Sequence, residues 1–232
     1  MRIVVLGCGT GVGKTRVSCA LLRALVAKGL PALGLKPIES GVQRDATAPG
    51  APVGSDAAAL AEAGSLRTQL PHPLYALPDP ISPHLAARAA GFIIDLSQVS
   101  RWVHESEASV ARHVVSPSAL LTVIETAGGV FSPLAHGVTN FDLARSLEPA
   151  IWVLVAADAL GVLHDVTATS KAMRAGGREP DHVVLSGARA PDASTGRNAA
   201  ELASLGIAQP SAVLARDDDR GVSALVDRLL AP

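Results

Sequence analysis

Cysteine and aromatic residues are scarce in this sequence, and their scarcity limits how the chain can be stabilised. Cys8 and Cys19 are the only cysteines among 232 residues, and aromatic residues make up 3%. A disulfide framework needs more cysteines than this, so we expect both thiols to be reduced. The core must instead be aliphatic, and a chain of this length buries enough apolar surface to fold without covalent staples.

An excess of charge of either sign is also missing. Lysine and arginine total 20, aspartate and glutamate total 21, and the formal net charge is −1. This balance argues against a nucleic-acid partner and against binding to a charged membrane surface. No apolar run approaches transmembrane length, and the chain starts directly with an apolar strand pattern, so we expect a cytoplasmic protein without a membrane partner.

Lysine is rare beside arginine, and two of the lysines stand at notable places. The lysines are Lys14, Lys28, Lys36 and Lys171. Lys14 ends a glycine-rich run, and Lys36 follows an apolar segment and precedes Pro37. A polar group just after an apolar strand is where ligands bind in open parallel sheets, which singles out these two side chains.

A glycine-rich turn from Gly7 to Thr15 organises the sequence. It follows Ile3 to Leu6, which predicts a buried strand, and precedes Val17 to Leu25, which has helical spacing. Strand, glycine-rich turn ending in Gly-Lys-Thr, and helix form the context of a phosphate-binding loop, in which backbone N–H groups and the helix dipole face an anion. Cys8 stands where the common pattern has glycine, so the loop is one residue longer than usual. We predict nucleotide contacts from Gly9, Gly11, Val12, Gly13, Lys14, Thr15 and Arg16.

Two further strand ends carry polar groups. Ala32 to Leu35 predicts a strand that ends at Lys36, and Ala119 to Ile124 predicts one that ends at Glu125. Asp56 follows Ser55 at the start of a predicted helix. Because carboxyl ends of parallel strands share one edge of a sheet, we expect these groups near the phosphate loop. Hard oxygen donors suit Mg²⁺, so the predicted metal ligands are Thr15, Asp56 and Glu125.

The predicted strands are continuous apolar runs separated by helices. This pattern indicates an α/β fold, a doubly wound parallel sheet with helices on both faces, of the phosphate-loop NTPase type. We find no repeat or clear linker, so we predict one domain spanning residues 1–232. Residues 43–54 are predicted to form a loop, and residues 71–83, with five prolines, to be irregular.

Several segments, taken in order, resemble the dethiobiotin synthetase family of phosphate-loop ATPases. The phosphate loop alone is shared by many ATPases, but the whole set is specific. The resemblance extends from Ile3 to about Gly187, and it rests on Gly7 to Thr15, Gly34 to Pro37 with Ser40-Gly41, Ser55-Asp56, Pro80 to His84 and Glu125 to Gly129.

The resemblance implies an activity and a set of roles. Family members use ATP, Mg²⁺ and CO₂ to close a cyclic urea on 7,8-diaminononanoate, which gives dethiobiotin, ADP and phosphate in biotin synthesis. They are dimers with substrate at the subunit interface, so a homodimer is implied here. Catalytic roles fall to Lys36, Lys14 and Thr10, and substrate contacts to Thr10, Ser40, Gly161, Val162 and Leu163. Nucleotide contacts extend to Asp56, Glu125, Thr126, Ala127, Gly128, Ser186 and Gly187.

The chemistry of Lys36 also follows from the residue itself. An unperturbed lysine is protonated at neutral pH, so we expect a fixed positive charge and no role as a proton acceptor. Lys14 and a metal ion nearby would lower the pKa of Lys36, and bound anions would oppose that effect.

Two departures from the family pattern bear on the nucleotide. Thr126 stands where the family has glycine, and its side chain is expected to crowd the site. Ser186-Gly187 replaces an Asn-Asp pair that many members place near adenine, which predicts weaker discrimination between bases.

Other readings of the sequence remain open at this point. One is another phosphate-loop ATPase, of the partitioning or cobyrinate-amidating type. The loop has no lysine before Lys14, whereas the partitioning group carries one, and the chain leaves no length for an added glutaminase domain. A further alternative is a nucleotide-binding switch module without this turnover.

Overall fold

The computed structural model describes residues 1–42, 52, 54–116, 119–216 and 218–230. Most of the predicted loop 43–54 lies outside these residues. No helix in the described ranges has the length and apolar character that a membrane crossing requires.

Most of the described strands belong to one parallel sheet. The strands are β1 (Arg2–Gly7), β2 (Ala32–Leu35), β3 (Ile38–Ser40), β4 (Tyr75–Leu77), β5 (Leu121–Glu125), β6 (Pro133–Ala135), β7 (Val138–Thr139), β8 (Ile151–Asp158), β9 (His182–Gly187) and β10 (Ala212–Leu214). Within the described residues, the main sheet has six parallel strands in the order β10-β9-β8-β1-β5-β2. β3 pairs with β4 in parallel, and β6 pairs with β7 in antiparallel.

Helices connect the strands and cover both faces of the main sheet. They are α1 (Lys14–Ala27), α2 (Asp56–Ala63), α3 (Pro83–Ala89), α4 (Leu96–Ala111), α5 (Asn140–Ser146), α6 (Val162–Ala175), α7 (Asn198–Ser204) and α8 (Gly221–Leu229). Side-chain caps fix the starts of two helices. The Ser55 hydroxyl accepts from the Ala58 N–H before α2, and the Asp95 carboxylate accepts from the Ser97 N–H before α4.

Alternate residues of β1 enter two separate cores. Val4 and Leu6 lie in the cluster that contains residues of α3, α4 and α5. Ile3 and Val5 lie in the cluster that contains residues of α1, α2 and α8. Because both faces of the strand are buried, its sequence is a continuous apolar run and does not alternate. The predicted doubly wound α/β fold is confirmed.

The structure differs from the sequence-based prediction in two places. Residues 71–83 are not wholly irregular, because β4 lies between Pro73 and Pro78 and pairs with β3. The prolines bound this short strand instead of preventing it. The hairpin of β6 and β7 and the helix α5 were not predicted, because each is too short to show a clear period.

Candidate active site

The central strands end at a cleft of about 900 Å³. It lies at the carboxyl edge of the parallel sheet, where open α/β folds bind ligands. Predicted site residues that line it are Thr10, Gly11, Val12, Gly13, Lys14, Thr15, Arg16, Lys36, Ser40, Asp56, Glu125, Ala127, Gly128, Ser186 and Gly187. Predicted residues that do not line it are Gly9, Thr126, Gly161, Val162 and Leu163.

The phosphate loop requires glycine at several positions. Gly11 and Gly13 have φ values of 74° and 94°, which glycine adopts without strain. A Cβ on Gly7 would stand 2.9 Å from the Gly9 carbonyl oxygen, so the backbone is too close for a side chain. α1 begins at Lys14, directly after this loop, so its first-turn N–H groups and positive dipole end lie at the cleft.

Lys14 is buried at the floor of the cleft. Its Nζ donates to the Gly9 carbonyl at 3.3 Å. Burial, and to a smaller extent the Lys36 charge, lower the pKa of Lys14 to about 8, while Glu125 and Asp56 act in the opposite direction. The side chain therefore carries a charge that an anionic ligand would stabilise.

Lys36 joins the predicted metal ligands into one cluster. Its Nζ lies 2.8 Å from Asp56 Oδ2 and 2.5 Å from Glu125 Oε1. Thr15 Oγ1 donates to the same Glu125 oxygen at 2.9 Å. β2 lies one strand away from β1, with β5 between them, and this order brings Lys36 beside Glu125.

The charges of this cluster stabilise one another. Burial disfavours the charged form of Lys36, but the charges of Glu125 and Asp56 outweigh it, so the pKa of Lys36 is raised. Burial likewise opposes ionisation of Asp56, but Lys36 outweighs it, and the pKa of Asp56 is lowered. The net direction is thus opposite to the lowering that Lys14 alone would cause, because Asp56 and Glu125 lie within hydrogen-bond distance of Lys36 Nζ.

The donor set of the cluster suits Mg²⁺. Glu125 is fully buried, and its Oε2 has no hydrogen-bond partner among the described residues. Across those same residues, no group of three or more His, Cys, Asp or Glu side chains is placed to hold a metal. Mg²⁺ in nucleotide sites takes one or two carboxylates and completes its shell with phosphates and water, so Thr15, Asp56 and Glu125 are sufficient.

Glu39 is a site residue that was not predicted. It is buried, lines the cleft, and accepts hydrogen bonds from the N–H groups of Asp56 at 2.6 Å and Ala57 at 3.0 Å. Burial raises the pKa of Glu39. The side chain occupies the N-terminus of α2 and thereby fixes Asp56. Glu39 follows Lys36 closely in the sequence, and this position could have indicated that it belongs to the site.

Thr126 does not crowd the cleft. Its Oγ1 donates to the Val5 carbonyl at 3.1 Å, and the residue is buried. The hydroxyl therefore tethers the end of β5 to β1. The expected conflict between this side chain and the nucleotide is not seen, because the side chain points into the sheet edge.

Asn140 holds the turn that follows Glu125, and it was not predicted either. Its Nδ2 donates to the carbonyls of Ala127 at 2.5 Å and Gly129 at 2.9 Å. Ser132 Oγ accepts from the Gly129 N–H at 2.9 Å. Asn140 opens α5, whose existence had no signal in the sequence, so nothing pointed to this contact.

The far end of the cleft lies beside β9. Ser186 Oγ is buried without a hydrogen-bond partner in the described chain, and it lies against Gly13. A Cβ on Gly187 would stand 2.6 Å from the backbone nitrogen of Arg216. Arg189 and Arg216 supply the charged side chains of the lining here, and Arg216 Nη1 donates to the Arg189 carbonyl at 2.6 Å.

Arg16 is committed to the segment after β10. Its guanidinium donates to the carbonyls of Leu214 at 3.1 Å, Asp218 at 3.3 Å and Ala215. It also pairs with Asp219 at 3.0 Å. The residue lines the cleft, but these contacts use its donors to connect α1 with that segment.

The predicted substrate loop at Gly161 lies outside the cleft of its own chain. Gly161 caps α6 with a φ of 99°, and Val162 is buried. Leu160, just before it, is 85% exposed. This placement leaves the loop available on the surface.

Comparison with known proteins agrees with this geometry. The family model described as an AAA domain matches residues 1–216. The ATP-dependent dethiobiotin synthetase of Anaeromyxobacter dehalogenans (strain 2CP-1) is 37% identical over 222 residues, 94% of this chain and 91% of that protein. The enzyme of the same name from Caulobacter sp. (strain K31) is 34% identical over 99% of this chain and 94% of that protein.

Solved structures share the fold at low sequence identity. The MinC:MinD cell division complex of Aquifex aeolicus matches with a TM-score of 0.55 and 13% identity, covering 99% of this chain and 95% of that chain. A ParA family ATPase of Chlorobium tepidum TLS matches with a TM-score of 0.52 and 14% identity, covering 99% of this chain and 93% of that chain. At this identity the likeness shows the architecture alone, whereas the curated relatives show the family. The chain belongs to the ATP-dependent dethiobiotin synthetase family, within the phosphate-loop ATPases.

Proposed function

We propose that this chain uses ATP and CO₂ to close a cyclic urea on 7,8-diaminononanoate, giving dethiobiotin, ADP and phosphate. The names of its curated relatives support a dethiobiotin-forming ligase. The observation that carries the proposal is the position of the Lys36 ammonium, which lies between Asp56 and Glu125 in the cleft of the phosphate loop.

The proposed reaction transfers a phosphoryl group to a carbamate. One amine of the substrate takes up CO₂, and a carbamate oxygen attacks the γ-phosphorus of ATP. The second amine then attacks the carbamate carbon and displaces phosphate, which closes the ring. Phosphoryl transfer depends mainly on positioning and on charge stabilisation, so fixed cations are the groups this reaction needs.

The residues of the cleft divide these tasks. Lys14 and the loop N–H groups hold the ATP phosphates. Lys36 keeps its proton, since its pKa is raised, and offsets the negative charge that grows on the transferred group. Ser40 Oγ is buried, lines the cleft and has no hydrogen-bond partner among described residues, which supports assigning it, with Thr10, to the carbamate.

Magnesium would be held by Thr15, Asp56 and Glu125, and it would neutralise phosphate charge when bound. Glu39 keeps Asp56 in place through the N–H groups of Asp56 and Ala57. These side chains contribute oxygen donors and orientation, while Lys14 and Lys36 contribute positive charge.

An assay that omits one substrate at a time tests the proposal. Phosphate release should require the diamine, bicarbonate and Mg²⁺ together, and dethiobiotin should appear in equal amount. Lys28→Met provides a matched control, because Lys28 lies at the far end of α1, paired with Asp227. Nucleotide hydrolysis that ignores both diamine and bicarbonate would contradict the proposal and favour a different ATPase. Binding without turnover would favour the switch module.

A further inference from the structure

A buried histidine outside the cleft holds the backbone of Lys36. The Lys36 N–H donates to His72 Nε2 at 2.8 Å, and both residues are buried. His72 is not part of the cleft lining. It therefore contacts the backbone of the proposed catalytic lysine without lining the cleft.

The histidine stands where the chain changes its strand partner. Before this point, the Ser65 and Leu66 N–H groups donate to the Ala32 carbonyl and cover the outer edge of β2. After it, the Tyr75 N–H donates to the Pro37 carbonyl, and β3 pairs with β4. Between these contacts the Lys36 N–H would lack a strand partner on this edge, and His72 supplies the acceptor. Leaving a buried N–H without a hydrogen bond is costly, so this contact fixes the backbone between β2 and β3.

The ring of His72 is itself fixed. It lies against the Trp102 ring, with centroids 5.7 Å apart, and Trp102 Nε1 donates to the Pro71 carbonyl at 2.9 Å. A backbone N–H can only donate, so His72 Nε2 must be unprotonated to accept from Lys36. The contact with Trp102 thus connects the position of the His72 ring to α4.

We propose that His72 is a positioning residue for the chemical step, acting through Lys36 without touching substrate. This inference rests on the proposed function, since it assigns His72 to the lysine that acts in phosphoryl transfer. Lys36 directly follows β2, an edge strand of the main sheet in the described residues, and its long flexible stem must bring Nζ between Asp56 and Glu125. A misplacement of about 1 Å at such a group costs on the order of a hundredfold in rate.

Two substitutions separate the hydrogen bond from the bulk of the ring. His72→Leu removes the acceptor. His72→Gln keeps it, because the glutamine Oε1 reaches the place of Nε2. We expect the kcat of His72→Leu to fall by about tenfold to a hundredfold. Nucleotide affinity should change less than twofold, because Lys14 and the loop amides do not depend on His72. His72→Gln should recover most of the kcat. If His72→Leu does not fold, His72→Asn replaces it, since its shorter amide does not reach Lys36.

A double-mutant cycle shows whether His72 acts through the lysine. In a Lys36→Met background, His72→Leu should cause no further loss of kcat, because the positioned charge is already gone. Losses that multiply in the double variant would overturn the proposal and leave His72 a purely structural residue. An unchanged kcat in His72→Leu would also overturn it.

A spectroscopic measurement keeps this inference separate from the proposed function. Selective ¹⁵N-lysine labelling gives backbone signals for Lys14, Lys28, Lys36 and Lys171 only. His72→Leu should shift the Lys36 signal and leave those of Lys28 and Lys171 in place, and His72→Gln should shift it less. An unmoved Lys36 signal overturns the proposal. If the shift occurs but the wild-type chain makes no dethiobiotin, the proposed function fails while the anchoring of Lys36 stands.

Discussion

At the scale of single residues, the buried charges of the cleft explain each other. Glu125 is fully buried and Lys36 nearly so, and a buried charge is costly unless it is paired. Together with Asp56 they form a compact group in which the lysine keeps its proton and Asp56 keeps its charge. Removing one member therefore changes the net charge of the site, and it leaves the remaining buried charges with fewer partners.

Lys36→Met keeps the stem and removes the charge. A cation aimed at charge that grows in the transition state is worth roughly 3–4 kcal/mol, so kcat should fall by about 10²–10³. Nucleotide affinity should fall less, because Lys14 and the loop N–H groups remain. Lys36→Arg should recover only part of the rate, since a guanidinium is larger and differently shaped. Steady-state kinetics and nucleotide titration measure the two effects, with Lys28→Met as control. Near-normal turnover of Lys36→Met would refute the assignment.

Glu125→Gln tests the metal assignment. The substitution keeps the shape and removes a charge that Mg²⁺ prefers, so more Mg²⁺ should be needed for half-maximal turnover. The control is Glu107→Gln, which removes a carboxylate on α4 that pairs with Arg2, away from the cleft. If the Mg²⁺ dependence of Glu125→Gln equals that of the wild-type chain, Glu125 does not bind the metal.

At the scale of elements, the cleft is formed by two turns that contact each other. The Val130 N–H donates to the Gly7 carbonyl at 2.8 Å, and a Cβ on Gly129 would meet the Cys8 carbonyl oxygen at 3.3 Å. The turn after β5 thus rests on the phosphate loop. The Asn140 amide donates to the Ala127 and Gly129 carbonyls of this turn. The geometry of the cleft therefore depends on α5, which contributes no lining residue.

Asn140→Leu should destabilise this arrangement. The substitution leaves the buried carbonyls of Ala127 and Gly129 without the amide donor, which costs about 1–3 kcal/mol in the free energy of unfolding. Denaturant unfolding measures the loss. Asn140→Asp is the informative partner, because it keeps the size but replaces the donor with an acceptor, and it should be at least as destabilising. Unchanged stability in both variants would show that the turn holds without Asn140.

The end of β9 bears on the choice of base. Ser186 is buried against Gly13, and Gly187 has no room for a side chain beside Arg216. Neither position can read the edge of a base as an amide and an acid would. Each lost hydrogen bond is worth on the order of 1 kcal/mol, so we expect weak discrimination between ATP, CTP and GTP. Competition between these nucleotides measures it. A preference for ATP above about a hundredfold, or roughly 2.7 kcal/mol, would show that Arg189, Arg216 or the backbone reads the base.

The sequence could predict elements whose signal is local. β1, α1 and the loop between them combine an apolar run, glycines and helical spacing, and the structure agrees with their prediction. The sequence also predicted that Lys36, Asp56 and Glu125 line the cleft, because the carboxyl ends of parallel strands lie at the same edge of the sheet. His72, Asn140 and Glu39 were missed, since each contacts another segment that only the folded chain brings beside it.

At the scale of the whole molecule, the cleft and the Gly161 loop belong to different surfaces. Gly161, Val162 and Leu163 do not line the cleft of their own chain, and Leu160 beside them is 85% exposed. The helix α6 starts there, and a helix N-terminus favours a carboxylate, although the Val162 N–H already donates to the Ala159 carbonyl at 3.1 Å. If this loop binds substrate, it does so in the cleft of another copy.

We therefore predict a homodimer in which each active site uses both subunits. Light scattering at micromolar concentration should give twice the mass of the chain. A mixing experiment tests the shared site: Lys36→Met damages the cleft, and Leu160→Asp places a negative charge beside the loop that would receive the substrate carboxylate. Each variant alone should be nearly inactive. After the subunits exchange, half of the dimers are hybrids with one intact site, so the mixture should regain about a quarter of wild-type activity. The control mixes Lys36→Met with Lys14→Met, which damage the same cleft and should not complement. A monomer that turns over at full rate, or a mixture that regains nothing, would contradict the shared site.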